Sequence, residues 1–429
     1  MAHSRKVNRP TAQAGQRSLS PAGVADHQQL VQAIGPTDLT PIVRRALNQP
    51  ALVITRWQQT QIHGGVGGGF RDTSVYRFSG QGRAQGQAFD WSVILKILSP
   101  RPFSSPSDPA YWRREIEAYR SGWLDQLPGH LRAPNCLGIT DYPDQACLLW
   151  QEDVPEQEGR RWSVEAFRQA ARHLGQFNGA YLVSGALPEF AWLGQSPPYD
   201  ANRSAATIEA LPALASHPVV QRVLPGDSIT RLNRIWGYRT TLRAVLDYLP
   251  QTVCHFDAFR RNLFIQRPAG GSDRTVAIDW AYVGRGAIGE DAAALAFLSL
   301  FFMEAEVSTA QNFDAALFAD YVAGLQDAGW HGPIDQIRLG YLSHFILRWL
   351  ELIRCVDQLY LDERHYPFLE TVAGQQYTAL EMIDNHGAVN QFALTLADEA
   401  LVRLNAARAK RHSARRRTRS SEQFAVWPG

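Results

Sequence analysis

Near the middle of the chain an eight-residue loop is bracketed by apolar segments. Val253-Cys254 precedes it, Leu263-Phe264-Ile265 follows it, and His255-Phe256-Asp257-Ala258-Phe259-Arg260-Arg261-Asn262 lies between. A further apolar run, Val276-Ala277-Ile278, ends in Asp279-Trp280. Short strands on both sides of a loop aim its side chains into one cleft, and an acid at a strand end can be brought to the same place. The spacing H-x-D-x-x-x-x-N, then a strand-end Asp, therefore asks for a fold in which three polar groups converge.

Phosphoryl transfer needs such a set. The protein mostly positions groups and neutralises charge in that reaction. Asp257 would accept a hydrogen bond from an attacking hydroxyl and take its proton late. Asn262 and Asp279 would offer hard oxygen donors to Mg²⁺ on the phosphates. The plainer reading makes Asp257 and Asn262 loop residues that cap backbone groups, and Asp279 a turn residue. Either motif alone barely outweighs that reading; the two together, in order and at strand ends, outweigh it clearly.

The rest of the 429 residues divides around this loop. Residues 1–38 are polar and aperiodic and read as a tail with a short helix near 24–34. Strands are expected at Leu52-Val53-Ile54, Val75 to Phe78, Phe89 to Leu98, Ile139 to Tyr142 and Ala146 to Trp150, with one helix over 111–124. Residues 39–154 thus form a small antiparallel-sheet lobe. A connector near 151–159 leads to a helical lobe, 155–407, with helices expected over 164–183, 228–249, 291–304, 312–328, 336–361 and 369–408. Residues 408–429, rich in Arg, read as a basic flexible tail. The class is α+β, in two lobes.

Period-two alternation in Phe89 to Leu98 puts Phe89, Trp91, Val93, Leu95 and Ile97 on a core face, and Ile94 and Lys96 on the other. Lys96 would neutralise phosphates, with Glu115 on the next helix as its ion-pair partner; Glu117 lies on a different helix face. By themselves these two read as a snorkelling lysine and a solvated acid; with the downstream motif they read as functional. Gly65, Gly67 and Gly68 belong to a glycine cluster after a strand, suited to cover phosphates, and match neither a Walker A loop nor a dinucleotide fingerprint. Asp291 precedes an apolar helix and reads both as an N-cap and as a buried acid holding the His255 loop. His255 reads as a structural hydrogen-bonder.

Cys136, Cys147, Cys254 and Cys355 form no C-x-x-C pair, which suits a reducing cytoplasm and argues against zinc. The N-terminus lacks the apolar stretch of a secretory signal, and the run 292–303 is too short to span a bilayer. A cytoplasmic protein without membrane association is expected. The Arg-rich tail reads as a solubilising segment in preference to a nucleic-acid contact.

With these residues assembled, the chain resembles the aminoglycoside phosphotransferase / choline kinase-like superfamily over roughly residues 51–385. The resemblance implies a bilobal protein-kinase-like fold, ATP (or GTP) and Mg²⁺ as cofactors, and a small-molecule hydroxyl acceptor. It also implies that Leu148 to Val154 form the interlobe hinge, backbone groups of Glu152 and Val154 meet the adenine edge, and Ile94 packs on the adenine face. The family often has Gly where Phe256 stands and a second His where Phe259 stands. The short gap between Asp279 and Asp291 leaves little room for a protein-kinase activation segment, which favours a small acceptor. Glu304, Glu306, Glu351, Asp357, Asp362 and Glu363 would either receive a cationic amine or serve as solvated helix faces, and Arg260 and Arg261 would suit an anion. The alternative function is a non-catalytic nucleotide-binding protein on the same scaffold.

Overall fold

The computed structural model describes residues 27–62, 73–100, 105–142, 146–159, 161–195, 197 and 199–423, with side chains to residue 406 in the last helix. In chain order the first lobe holds α1 (His27–Ala33), α2 (Pro36–Leu47), β1 (Val53–Ile62), β2 (Thr73–Ala84), β3 (Gln87–Leu98), α3 (Arg114–Arg120), β4 (Leu131–Arg132), β5 (Cys136–Tyr142) and β6 (Ala146–Glu152). Five of these strands make an antiparallel sheet in the order β1-β2-β3-β6-β5. Alternation along β3 decides its two faces. Trp91, Val93, Leu95 and Ile97 pack under α1 and α2 in one core, while Leu98, with Cys147 and Leu149 of β6, joins the core that continues through α3 into the helical lobe.

Residues 27–38, expected as tail, belong to the lobe: Val31 and Ile34 are buried against the sheet. The helix expected over 111–124 is shorter, because Gly122 at φ +70° ends it and a 3-10 turn, Trp123–Gln126, follows.

The second lobe begins with α4 (Val164–Ser184), capped by the Ser163 hydroxyl on the Ala166 amide. Then come α5 (Ala205–Ala210), α6 (Pro218–Val223), α7 (Ser228–Trp236) and α8 (Arg239–Tyr248). Gly237 divides what had read as one helix over 228–249. Four short strands carry the central motif: β7 (Gln251–Cys254), β8 (Leu263–Gln266), β9 (Arg274–Ala277) and β10 (Gly284–Ala287). β7 pairs with β10, and β9 sits between β8 and β4, the latter reaching across from the first lobe. The remaining helices are α9 (Glu290–Phe301), α10 (Ala310–Asp327), α11 (Ile334–Leu352), α12 (Tyr366–Val372) and α13 (Ala379–Gln423). Gly374 at φ +66° separates α12 from α13, and α13 runs past the expected end at Arg408. Among the described residues no helix is long and apolar enough to cross a membrane.

Candidate active site

The loop between β7 and β8 is held from below. Asp291, fully buried at the start of α9, accepts the amides of His255 at 3.1 Å and Phe256 at 2.9 Å. Burial pushes its carboxyl above the usual range, against the neighbouring His255 charge and these hydrogen bonds. Asn178 of α4 braces it, donating to Asp291 Oδ2 at 3.0 Å and to Val253 O at 2.7 Å, and accepting from Tyr321 at 2.8 Å. His255 Nε2 lies 3.0 Å from Ile278 O, which ties the loop to the end of β9. Phe256 takes φ +64°, a left-handed conformation that costs a bulky residue about 1–2 kcal/mol. That explains why glycine suits this place. Here the ring is buried over Gly286, where an added Cβ would stand 2.6 Å from Phe256 Cζ.

Above this support the motif residues converge. Asn262 Nδ2 donates to Asp257 Oδ2 and to Asp257 O, both at 2.9 Å. Lys96, on β3, donates to Asp279 Oδ1 at 2.7 Å and to Glu115 Oε2 of α3. Burial opposes the Lys96 charge, but Asp279 and Glu115 outweigh it and raise the ammonium above its ordinary value. Burial likewise pushes the Glu115 carboxyl up, with Lys96 drawing it back. Asp279 stands at φ +61°, which an Asp tolerates.

Two supports carried no sequence signal of their own. Arg114, 1% exposed, donates to Ala281 O at 3.0 Å and Trp192 O at 2.9 Å, so α3 is fixed to the segment just after Asp279. Burial pushes its guanidinium down to about 10. Gln151 Nε2 donates to Tyr119 OH at 2.7 Å, joining α3 to the hinge strand.

The hinge needs a correction at Glu152. Its amide donates to Asn135 O at 3.0 Å, and its carboxylate takes Arg132 at 2.8 and 2.9 Å. Amide and carbonyl of one strand residue share a side, so Glu152 presents its backbone to the β5 side of the sheet and not to an adenine on the β3 side. Asp153 follows the strand, its carboxylate held by Arg77 Nε at 2.7 Å and by Ser92. Ile94 is half-buried and Val154 is buried at the end of the hinge. Gly65, Gly67 and Gly68 lie between β1 and β2, outside the described residues. A cavity of about 890 Å³, lined by Tyr181, Glu189, Gln251, Arg285 and Trp330 among others, contains none of the site residues.

A model of the phosphotransferase enzyme family, APH, matches residues 66–332, well over half of the chain and the whole of this site. The chain belongs to the APH phosphotransferase family. That membership makes it a phosphotransferase. The solved structures it is similar to include amicoumacin kinase hAmiN with AMP-PNP, Ca²⁺ and Ami, at 14% identity over 84% of this chain and 94% of that one, TM-score 0.48. A spectinomycin phosphotransferase with ADP and spectinomycin is 13% identical over 85% of this chain and all of that one, TM-score 0.43. An ethanolamine kinase from Plasmodium vivax is 13% identical over 79% and 81%, TM-score 0.40. A search of the curated proteins gives no significant match. Phe256 is left-handed and Phe259 is buried.

Proposed function

We propose that the chain moves the γ-phosphoryl group of ATP to a hydroxyl of a small molecule, with Asp257 as the base. The observation that carries this reading is the inter-lobe bridge, in which Lys96 of the sheet lobe reaches Asp279 of the helical lobe at 2.7 Å while Glu115 holds it from behind. Phosphate oxygens arriving between the lobes would meet that ammonium. Asp257 is set by Asn262 and would receive the acceptor hydroxyl. The acceptor oxygen bonds to the γ-phosphorus, the bond from that phosphorus to the ADP oxygen breaks, and the hydroxyl proton passes to Asp257.

The donor set suits Mg²⁺. Asn262 directs its amide nitrogen to Asp257, which turns its carbonyl oxygen the other way, and Asp279 adds a carboxylate. Two protein oxygens, with waters and phosphates completing an octahedron, are what this ion takes. The ion would neutralise charge on the transferring phosphoryl group. Val154 and the main chain of Asp153 would meet the adenine edge, Ile94 its face, and the segment with Gly65, Gly67 and Gly68 the phosphates.

Turnover of Mg·ATP or Mg·GTP over a panel of hydroxyl acceptors, in the wild type and Asp257→Ala, tests the reading. Acceptor phosphorylation that disappears in the variant supports it. Nucleotide binding without phosphorylation of any acceptor would replace it with a binding protein on a kinase scaffold.

A further inference from the structure

Most of the acids that would receive a cationic amine already have partners. Glu304 accepts from Arg261 Nε at 2.7 Å, Glu306 faces Arg161 at 3.6 Å, and Asp362 is gripped by Arg364. Asp357 accepts from Thr207 Oγ1 at 2.8 Å, and Glu363 is exposed on a 3-10 turn. Glu351, with 1% of its side chain exposed, is held from two sides, by Arg203 Nη1 at 3.0 Å and by Arg348.

At that last point guanidiniums outnumber the carboxylate they hold two to one. Arg354 follows on the chain: its backbone amide donates to the Ser204 hydroxyl at 3.0 Å, and the same hydroxyl donates to Glu351 O at 2.7 Å. Its Nε is buried with no hydrogen-bond partner among the described residues. Two guanidiniums thus hold one buried carboxylate, with Arg354 three residues beyond it and the exposed Asp357 three further on.

Arg348 links this cluster to Asp257. On α11, His344 lies 2.9 Å from Glu290, the neighbour of the Asp291 that holds the His255 and Phe256 amides. Arg348 is one turn further along the same face. Burial works against its charge, and Glu351 followed by Asp257 outweighs it, raising the guanidinium above its ordinary value. Arg260 and Arg261, the cations singled out in the sequence, are matched instead to Glu156 at 2.9 Å and to Glu304.

We infer that the acceptor, on the phosphotransfer reading above, carries an anionic group, a carboxylate or a phosphate ester, received by Arg203, Arg348 and Arg354. A guanidinium fork matches either anion in two hydrogen bonds, and a half-buried excess of positive charge is costly until an anion arrives. A polycationic amino sugar would meet like charge here.

The test is thermal stabilisation of the full chain, saturated with Mg·AMP-PNP, by three sets of probes. These are hydroxycarboxylates (glycerate, gluconate), phosphate esters (glycerol phosphate, glucose 6-phosphate), and amines (ethanolamine, kanamycin). One of the two anionic sets should stabilise the protein, and the stronger one names the anion. In Arg348→Gln and Arg203→Gln the apparent Kd for it should rise about 10- to 100-fold, with the AMP-PNP shift retained. Arg354→Gln, which has no Nε partner to lose, should show the same loss in a chain whose folding is undisturbed. Stabilisation by amines alone, by no probe while Mg·AMP-PNP still acts, or by anions equally well in all three variants would overturn the inference. Failure of Mg·AMP-PNP itself to stabilise the chain would sink the phosphotransfer reading, and the inference with it.

Discussion

On the proposed phosphate side of the cleft one ammonium, Lys96, is shared by two carboxylates, Glu115 and Asp279. On the helical side one buried carboxylate, Glu351, is shared by two guanidiniums, Arg203 and Arg348. The first arrangement leaves room for a cation and the second for an anion. The two sides also differ in burial. Lys96 has 10% of its side chain exposed and Glu115 none, whereas Arg203 is 52% exposed. Charge on the phosphate side is therefore locked into the fold, while charge on the helical side can be rearranged around a ligand.

The sharpest way to separate the sides is Asp257→Asn, which removes the proposed base between them. Turnover should fall about 10²- to 10⁴-fold with stabilisation by nucleotide intact, as read by coupled ADP release and thermal shift. Unchanged turnover would make Asp257 a loop-capping residue.

Lys96→Met should come next. Removing one partner of a buried pair costs about 3–5 kcal/mol, and uptake of a proton by Glu115 should hold the loss near the lower figure in urea unfolding. A loss as small as that of a surface pair would contradict the locked charge.

The helical side should weaken in acid. His386 of α13 lies 2.8 Å from Phe301 O through Nε2 and 2.7 Å from Tyr360 OH through Nδ1, a neutral arrangement, and burial pushes its pKa down to about 4. A folded value below the ordinary 6.5 means the contribution is whole above pH 6.5 and is lost as pH falls toward 4. The loss approaches about 3 kcal/mol, and His386→Gln should flatten that slope of stability against pH. An identical slope in the variant would assign the acid sensitivity elsewhere.

Smallest of all, Arg203→Gln should cost about 1 kcal/mol or less in stability, since Arg203 is 52% exposed and Arg348 still holds the buried Glu351. Its effect should instead fall on acceptor affinity.

How much of this was legible in the sequence depends on distance along the chain. Local periods carried well. Alternation in β3 put Lys96 opposite the core residues, and helical spacing preferred Glu115 to Glu117, which instead meets Arg113 and Arg120 on the outer face of α3. Strand–loop–strand patterning likewise brought out Asp257 and Asn262, whose contact spans only five positions. Partners far apart were not legible. Nothing local joins Arg203 to Glu351, 148 residues away, or Arg114 to Ala281, 167 away, because tertiary packing alone decides those contacts. Glu152 failed for a subtler reason: which side a hinge residue presents depends on its ladder partner Asn135, and a resemblance in sequence does not carry register. Gly237 and Gly374 mark helix breaks that the apolar pattern ran straight through.

The most direct measurement is ³¹P NMR of Mg·ATP mixed with hydroxyl acceptors and either the wild type or Asp257→Asn, both first shown to be stabilised by the nucleotide. The predicted result is a new phosphate monoester resonance with the wild type and none with the variant. A monoester formed equally by both, or by neither with any acceptor, would contradict Asp257-driven phosphoryl transfer.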